Sequence, residues 1–496
     1  MKLELRGHDE RYVVEQSLMS LFPGEKPVYE PILPGDDSWA IISLREEQRC
    51  HVTVELCYQG KSLPYSYGCP LSGDDFAREG QRRHAIGAAF FLAARELTGH
   101  TPPWGMLTGV RPDKPVTWAL AQGKTPQQAR QMLEETYFVT PDRATLALET
   151  GAAALTAQQK LDPRDIAVYV GIPFCPTRCA YCSFVSQSVE RSFSLVPPYV
   201  DALIREIRAG GEMVRQQGLT CRAFYMGGGT PTTLTAEQMD RVLTTFEESF
   251  DLSRCDEITV EAGRPDTITP EKLAVLKRHA VTRVSVNPQT MEDHVLRAIG
   301  RRHTAGDIQR AMELVAACDF PHVNMDLIAG LPEDSPEGFR RSLDRCLAFG
   351  TDNVTVHTLA LKKGSRLMGD GSGEGPVLPT AEAVDDMLSY AWSTLRRAGQ
   401  VPYYLYRQKY MSGSFENVGW SLPGWESLYN ICMMEELHTI LSLGGGGVTK
   451  LVHPRTGHIE RIANPKYPHE YVNSLEKLRL GKHQAAEFLM ELRQGE

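Results

Sequence analysis

Three cysteines form the most chemically distinctive group in the chain. Cys175, Cys179 and Cys182 have the spacing C-x₃-C-x₂-C and follow an apolar run that ends at Ile172. Thiolates are soft ligands, which favour iron–sulfur clusters or zinc over hard cations. Three thiolates can hold three irons of a cubane and leave the fourth iron open to a chelating small molecule. The spacing therefore predicts an iron–sulfur site with one open coordination position.

Structural zinc or ordinary buried thiols are the alternatives for the same three cysteines. A structural zinc site is closed by four protein ligands, and no fourth Cys or His lies at a familiar spacing nearby. Other cysteines, such as Cys50, Cys57, Cys318 and Cys346, are typical of core residues, which is the usual position of a free thiol.

Glycines and a carboxylate lie where the next two predicted strands end. Gly227, Gly228, Gly229 and Thr230 follow one strand, and Glu261 ends the next. Glycine lets the backbone approach a ligand without interference from a Cβ atom, and the exposed backbone groups can bind it. A carboxylate can accept hydrogen bonds from ribose hydroxyls. A tight structural turn is the alternative interpretation of the glycines.

The elements that must position these residues alternate from about residue 165 onward. Candidate strands are 166–172, 223–226, 257–261, 282–286, 322–327 and 353–359. Candidate helices between and after them are 197–217, 236–249, 270–279, 291–299, 305–318 and 336–349. This alternation indicates a parallel sheet with right-handed crossovers. We expect an α/β fold, a partial (β/α)₆ barrel with its site at the carboxyl ends of the strands.

Two further regions flank this barrel. We expect residues 1–162 to form an α/β module of unknown role, residues 163–375 to form the barrel core, and residues 376–496 to form an α-rich extension. The N-terminal module should contain a half-buried strand at 51–56 and helices at 76–97, 126–136 and 141–161.

Composition narrows the classes of function. The 496 residues are 42% hydrophobic and carry a net charge of −9, which is ordinary for a globular protein and disfavours a nucleic-acid partner. The N-terminus lacks the apolar region of a signal peptide, and the longest apolar run, 85–94, is too short to span a bilayer. Eleven cysteines without a secretory signal indicate reduced thiols. We expect a cytoplasmic protein.

The motifs also resemble those of a known family. C-x₃-C-x-aromatic-C after the first strand, followed by Gly-Gly-Gly-Thr-Pro after the second, resembles the signature of radical S-adenosylmethionine (SAM) enzymes. The pattern Tyr-x-x-Ile-Pro-Phe-Cys, which begins at Tyr169, is similar more narrowly to the oxygen-independent coproporphyrinogen III oxidase family. The resemblance implies a [4Fe–4S] cluster on the three cysteines and SAM on its open iron. One electron from the cluster then cleaves SAM to a 5′-deoxyadenosyl radical.

The resemblance also implies which residues contact SAM. They are Tyr169, Tyr181, Gly227, Gly228, Gly229, Thr230, Glu261, Gln289, Arg301 and Asp326. Tyr181 would pack on the adenine. Glu261 matches the family only approximately, because its segment to Pro265 is one residue longer than the Glu-x-x-Pro pattern. No catalytic side chain beyond the cluster ligands is implied.

Within the family, segments 109–112, 263–265 and 403–409 are similar to the HemZ-type coproporphyrinogen dehydrogenase branch. The implied reaction is oxidative decarboxylation of two propionates of coproporphyrinogen III, which yields protoporphyrinogen IX in haem biosynthesis. A tetrapyrrole with four carboxylates needs aromatic and cationic contacts, for which Arg111, Tyr404 and Arg407 are candidates. Strand packing and surface charge explain these three equally well. An electron donor such as flavodoxin or ferredoxin is also implied.

Two departures from the family's oxidase branch leave alternatives open. Gly171 stands where that branch has histidine, and Phe184 stands where it has a further cysteine. These departures weaken the transfer of the oxidase's full mechanism, including any second SAM. The alternatives are a haem-handling radical SAM protein, either a haem chaperone or an anaerobic haem-degrading methyltransferase, and a non-catalytic iron–sulfur or zinc scaffold.

Overall fold

The structure is a computed structural model, and the chain divides into two compact units. The described residues are 1–22, 24–47, 49–182, 187–188, 192–361, 365–368, 377–408, 415–453 and 456–494. The first unit contains Met1–Leu148 with Arg407 and Phe415, and the second contains Glu149–Tyr406 and the chain from Glu416 onward.

The first unit is an α/β module. Its sheet contains β1 (Lys2–Arg6), β2 (Ser38–Glu46), β3 (Arg49–Tyr58) and β4 (Lys61–Pro70), in that spatial order. Its helices are α1 (Arg11–Leu21), α2 (Asp75–Thr98), α3 (Lys114–Ala121), α4 (Pro126–Thr136) and the first part of α5 (Pro141–Gln159), which continues into the second unit. Alternation along β3 buries Val52, Val54 and Leu56 in the core that α1 and α2 share. The predicted strand and helices are all present.

The second unit is built around parallel strands. In the described residues they are β5 (Asp165–Ile172), β8 (Thr220–Gly228), β9 (Glu257–Glu261), β10 (Arg283–Ser285), β11 (His322–Ala329) and β12 (Asn353–Thr358), each paired with the next. A short pair, β6 (Phe174–Cys175) and β7 (Gln187–Ser188), follows β5. Every predicted barrel strand overlaps an observed one, so the predicted fold class is confirmed.

Helices connect these strands. They are α6 (Val196–Gln216), α7 (Ala236–Ser249), α8 (Pro270–Arg278), α9 (Asp293–Ala298), α10 (Ala305–Ala317) and α11 (Pro336–Ala348). Four of these six connecting helices begin where a hydroxyl side chain caps the first turn, at Thr235, Thr269, Thr304 and Ser335. Because such caps satisfy backbone N–H groups that lack helical partners, they fix where each helix starts after its strand.

The C-terminal region adds strands as well as the predicted helices. Its elements are α12 (Ala381–Arg397), β13 (Val401–Arg407), β14 (Glu416–Ser421), α13 (Leu428–Glu435), β15 (Ile440–Leu443), β16 (Val448–Val452), β17 (Ile459–Ala463), α14 (Pro468–Val472) and α15 (Leu475–Gln494). β14 pairs antiparallel with β12, and β15 pairs parallel with β5. The region therefore extends both edges of the barrel sheet. Among the described residues, no helix has both the length and the apolar character that crossing a membrane requires.

Candidate cofactor and substrate site

The three predicted cluster ligands lie together on one loop at the carboxyl end of β5. Cys175 ends β6, while Cys179 and Cys182 lie in the turn that follows, and all three are partly buried. The turn is closed by a hydrogen bond from Cys182 N to Cys179 O of 3.2 Å. Ala180 N donates to Ile299 O at 2.9 Å, which ties the loop to the segment after α9. Thr230 Oγ1 donates to Cys175 Sγ at 3.5 Å.

Two arginines lie beside the central cysteine. Burial alone would raise the pKa of Cys179, but the nearby Arg301 and Arg264 and a hydrogen bond from Tyr181 bring that pKa below its ordinary value. Since the thiolate is the form that binds metal, this setting favours ligation. No group of three ligating side chains within the described residues is arranged for a single ion. A cubane cluster binds one thiolate at each iron. Three thiolates that do not converge on one point therefore suit a cluster better than a single metal ion.

The glycine turn after β8 packs directly against the cysteine loop. Gly229 N donates to Ile172 O at 2.8 Å, and Thr230 N donates to Phe174 O at 2.7 Å. A Cβ atom on Gly229 would lie 2.5 Å from Phe174 O, so no side chain fits there. A Cβ atom on Gly227 would lie 2.8 Å from the Glu261 carboxylate. The missing side chain at Gly227 keeps that carboxylate accessible.

Glu261 lies at the end of β9 and interacts with a tyrosine. Tyr225 Oη donates to Glu261 Oε1 at 2.6 Å. Burial, and then the negative charge of Asp326, raise the pKa of Glu261 to about 7, although the Tyr225 hydrogen bond opposes the shift. The carboxyl group is therefore half protonated near neutral pH, and a ligand that donates hydrogen bonds to it would favour its ionised form.

A chain of polar contacts connects the cysteine loop with the ends of β10 and β11. Arg301 donates from Nη2 to Tyr181 Oη at 3.2 Å and from Nη1 to Asn287 O at 2.5 Å. Ser285 Oγ donates to Asn287 Oδ1 at 2.7 Å. The chain therefore joins two predicted SAM contacts, Tyr181 and Arg301, to the barrel interior.

The same contacts continue to a third predicted residue. Asn324 Nδ2 donates to Ser285 Oγ at 2.6 Å and to Asp326 Oδ1 at 2.8 Å. Asp326 Oδ2 lies 3.8 Å from His357 Nε2, at the end of β12. The roles of Ser285, Asn324 and His357 were missed from the sequence. The sequence did contain a signal for them, because polar residues occupy alternate positions of strands that are otherwise apolar. Alternate residues of a strand lie on the same face of the sheet.

Gln289 has an unusual backbone conformation at the same edge. Its φ is +70°, a left-handed value that side chains other than glycine rarely adopt. Its N–H donates to Asp326 O at 2.9 Å, and its carbonyl accepts from Ile328 N at 3.0 Å. These two bonds hold Gln289 beside Asp326, another of the predicted SAM contacts.

Three stacked tyrosines fill the interior below the glycine turn. The Tyr225 ring lies 4.4 Å from that of Tyr429 and 6.3 Å from that of Tyr169, at interplanar angles of 20° and 19°. Tyr429 is held at the start of α13, where its N–H donates to Glu257 Oε2 at 3.2 Å. Tyr169, predicted to contact SAM, therefore belongs to an aromatic stack that supports the Tyr225–Glu261 pair.

The turn 444–447 occupies the space beside Gly171. A Cβ atom on Gly171 would lie 3.3 Å from Gly445 O and 3.3 Å from the Tyr169 ring, which leaves no room for a histidine without movement. Tyr199 Oη donates to Gly171 O at 2.6 Å and accepts from Gly445 N at 2.7 Å. The fold thus accommodates the first departure from the oxidase pattern, glycine instead of histidine at position 171. The second departure, Phe184, lies outside the described residues.

A buried ion pair anchors that turn. Glu206 accepts hydrogen bonds from Gly444 N at 2.7 Å, Asn464 Nδ2 at 2.9 Å, Tyr471 Oη at 2.6 Å and Lys482 Nζ at 2.7 Å. Glu206 and Lys482 are 3% and 7% exposed. Because all the donors converge on one buried carboxylate, α6, the turn and α15 are fixed to one another.

The predicted substrate residues are divided between the two units. Tyr404 is buried, and its hydroxyl lies close enough to Thr355 for a hydrogen bond that partly offsets the raised pKa of the phenol. Arg407 lies in the first unit, where its backbone N–H donates to Val110 O at 2.7 Å and its Nη1 donates to Leu107 O at 2.5 Å. Arg111 lies in the same segment of the first unit. Lys409, in the predicted 403–409 motif, lies outside the described residues.

Comparison with known proteins agrees with this geometry. The Radical SAM superfamily matches residues 169–346, from β5 to α11. The fold and the cysteine site thus define a radical SAM protein, and radical SAM proteins use a [4Fe–4S] cluster and SAM. The predicted cofactors are confirmed at this level.

Individual relatives indicate which family of radical SAM proteins the chain resembles. The chain is 37% identical over 480 residues, 95% of each chain, to the oxygen-independent coproporphyrinogen-III oxidase-like protein HemZ of Bacillus subtilis. It is 31% identical over 265 residues to the heme chaperone HemW of Lactococcus lactis, which covers 53% of this chain and 64% of that one. The solved coproporphyrinogen III oxidase HemN of Escherichia coli is 22% identical, with a TM-score of 0.48 and coverage of 66% and 72%. The chain belongs to the HemZ family of oxygen-independent coproporphyrinogen-III oxidase-like radical SAM proteins. The predicted family is confirmed.

Proposed function

We propose that this protein converts coproporphyrinogen III to protoporphyrinogen IX by oxygen-independent oxidative decarboxylation, as a step of haem biosynthesis. The observation that carries the proposal is the similarity to the HemZ protein over 95% of both chains, since it includes both units and the C-terminal region. The haem chaperone of L. lactis is similar over 53% of this chain.

The residues at the carboxyl edge of the barrel suit the two cofactors. In this proposal Cys175, Cys179 and Cys182 bind the [4Fe–4S] cluster. The proposed SAM contacts are Tyr169, Tyr181, Gly227, Gly228, Gly229, Thr230, Glu261, Gln289, Arg301 and Asp326. When bound, the cluster and SAM together supply a carbon radical that can remove a hydrogen atom from a propionate.

The side chains of the site have distinct tasks in this proposal. Arg301 orients Tyr181 through the 3.2 Å hydrogen bond, so the phenol ring is fixed before SAM arrives. Glu261 accepts from Tyr225 and has a second carboxylate oxygen for a ribose hydroxyl. Asp326 is held by Asn324. The binding edge is thereby ordered by contacts among its own residues.

Of the three candidate substrate residues, Tyr404 has the strongest support. Its hydroxyl lies within hydrogen-bonding reach of Thr355, on the parallel strand β12, and we propose that it contacts the tetrapyrrole. Arg111 and Arg407 stay predictions, and the Arg407 guanidinium already binds a backbone carbonyl. We also propose an electron donor such as flavodoxin or ferredoxin. Because these two electron carriers need a reducing compartment, we propose a cytoplasmic location.

Anaerobic turnover tests the proposal. The reconstituted full chain is incubated with coproporphyrinogen III, SAM and a reductant, and products are followed by mass spectrometry. We expect the substrate to lose two molecules of CO₂ and the associated hydrogens, while 5′-deoxyadenosine accumulates. Cys179→Ala is the control that lacks a cluster ligand. SAM cleavage without loss of CO₂ would contradict the proposed substrate.

A haem-handling protein is the second candidate. It is favoured by the similarity to heme chaperones and by Gly171, which stands where the oxidase branch has histidine and where a Cβ atom would lie 3.3 Å from Gly445 O. Stoichiometric haem binding without decarboxylation would support a chaperone, whereas consumption of haem would support a haem-degrading methyltransferase. Retained zinc with no SAM cleavage would indicate a non-catalytic scaffold.

A further inference from the structure

Arg264 is a buried arginine that reaches the cysteine loop from the segment after β9. It is 2% exposed. Its Nη1 donates to Thr177 Oγ1 at 3.1 Å and to Thr177 O at 3.3 Å, and the same nitrogen lies 4.0 Å from Cys179 Sγ. The contact joins residues 85 positions apart in the chain. Arg264 therefore touches the loop between the first two predicted cluster ligands.

An aspartate fixes the orientation of this arginine. Arg264 Nε donates to Asp266 Oδ1 at 3.2 Å, and its Nη2 donates to Asp266 Oδ2 at 3.3 Å. This two-point contact leaves Nη1 free to face the loop, because a planar guanidinium presents its donors in a fixed fork. His303 Nδ1 lies 3.5 Å from the same carboxylate. Asp266 thus holds Arg264 from the side opposite the cysteines.

The charges around Cys179 are unevenly distributed. Arg264 and Arg301 lie on the cysteine side, whereas the carboxylate of Asp266 binds the far side of Arg264. Reduction adds one negative charge to a cluster, and nearby cations and hydrogen bonds to its sulfurs stabilise that charge. A buried cation acts more strongly than an exposed one, because solvent screens it less.

We propose that Arg264 is a positioning residue that orders the loop from Thr177 to Cys179 and raises the reduction potential of the cluster held there. The inference rests on the cluster assignment made under the proposed function, but not on the identity of the substrate. Asp266 has the opposite electrostatic effect, because its negative charge disfavours reduction.

Redox potentiometry followed by electron paramagnetic resonance tests this proposal on the reconstituted full chain. Arg264→Gln should lower the equilibrium constant for cluster reduction at least threefold, a shift of about 28 mV at 59 mV per tenfold. Asp266→Asn should raise the potential. Arg264→Lys, which keeps the charge, should restore most of the wild-type value. Arg297→Gln, at an exposed arginine of α9, is the matched control and should leave the potential unchanged.

The shifts in potential expected for Arg264→Gln and Asp266→Asn have opposite signs, and this difference distinguishes an electrostatic effect from a loosened loop. If Arg264 only packed the loop, Arg264→Gln and Asp266→Asn would shift the potential in the same direction, and that result would overturn the proposal. An unchanged potential in Arg264→Gln with full iron and sulfide content would also overturn it. Failure of every variant and the wild type to assemble a cluster would instead contradict the cluster assignment of the proposed function.

Discussion

We expect Glu261 to make SAM binding dependent on pH. Its pKa is about 7 in the protein, compared with 4.5 for an ordinary glutamate. Because the pKa is raised in the fold, the carboxyl group holds its proton below pH 7 and loses it above. A ribose hydroxyl that donates to the carboxylate stabilises the ionised form. SAM should therefore bind more tightly as the pH rises through 7.

The size of the effect follows from linkage. If SAM returns the pKa of Glu261 to about its ordinary value, binding at pH 6 releases roughly 0.9 protons and binding at pH 8 roughly 0.1. The affinity should then increase about tenfold between these two pH values. Glu261→Gln cannot ionise, so its SAM affinity should stay constant over the same range.

Calorimetry measures both the affinity for SAM and the number of protons released on binding. SAM is titrated anaerobically into reconstituted protein at pH 6, 7 and 8, in buffers of different ionisation enthalpy, so that released protons are counted directly. Glu247→Gln, at a partly exposed glutamate of α7, serves as the control. The same tenfold change in Glu261→Gln, or uptake of protons by the wild type, would refute the reasoning.

Three further predictions concern the loop, the anchor and the glycine turn. Cys179→Ala should lose the cluster without unfolding the chain; full iron content with an unchanged circular dichroism spectrum would refute the ligand assignment. Glu206→Gln leaves the Lys482 ammonium buried without its carboxylate, which should cost about 3–5 kcal/mol. Hydrogen exchange at the amide of Gly444 should then accelerate by roughly a hundredfold or more, and unchanged protection there would argue against the anchor. Gly227→Ala places a methyl group 2.8 Å from the Glu261 carboxylate and should weaken SAM binding at least tenfold, or about 1.4 kcal/mol. The same calorimetry measures this loss, and unchanged thermal stability of the first unit serves as the internal reference.

The barrel strands could be predicted because their local patterns are strong. β5 is buried on both faces, so it reads as a nearly continuous apolar run, and the strands that follow carry the predicted site residues at their ends. The strands β14 and β15, which flank the six parallel strands on either side, could not be predicted in the same way. β14 contains Gly419, where a Cβ atom would lie 2.0 Å from the Tyr404 ring, so its sequence reflects a tertiary contact more than strand propensity.

Residue types in the site were predictable, whereas their partnerships were not. Cysteine spacing alone predicted an iron–sulfur site, with structural zinc or buried thiols as the alternatives. The contact of Arg264 with the cysteine loop depends on where two distant segments meet, and no local pattern encodes it. The hydrogen bond from Asn324 to Ser285 depends likewise on the register between β10 and β11. The position of Glu206 opposite Lys482 arises only after α6 and α15 pack.

The pairing of β5 with β15 has a consequence for biosynthesis of the protein. Ala167 lies opposite Ile440, about 270 residues later in the chain. During translation, the strand that leads into the cysteines therefore lacks this partner until Ile440 has been synthesised. Chain growth of 5–20 residues per second makes this delay roughly 15–50 s. The sheet that carries the cysteine loop is therefore complete only after residues 440–443 have been synthesised.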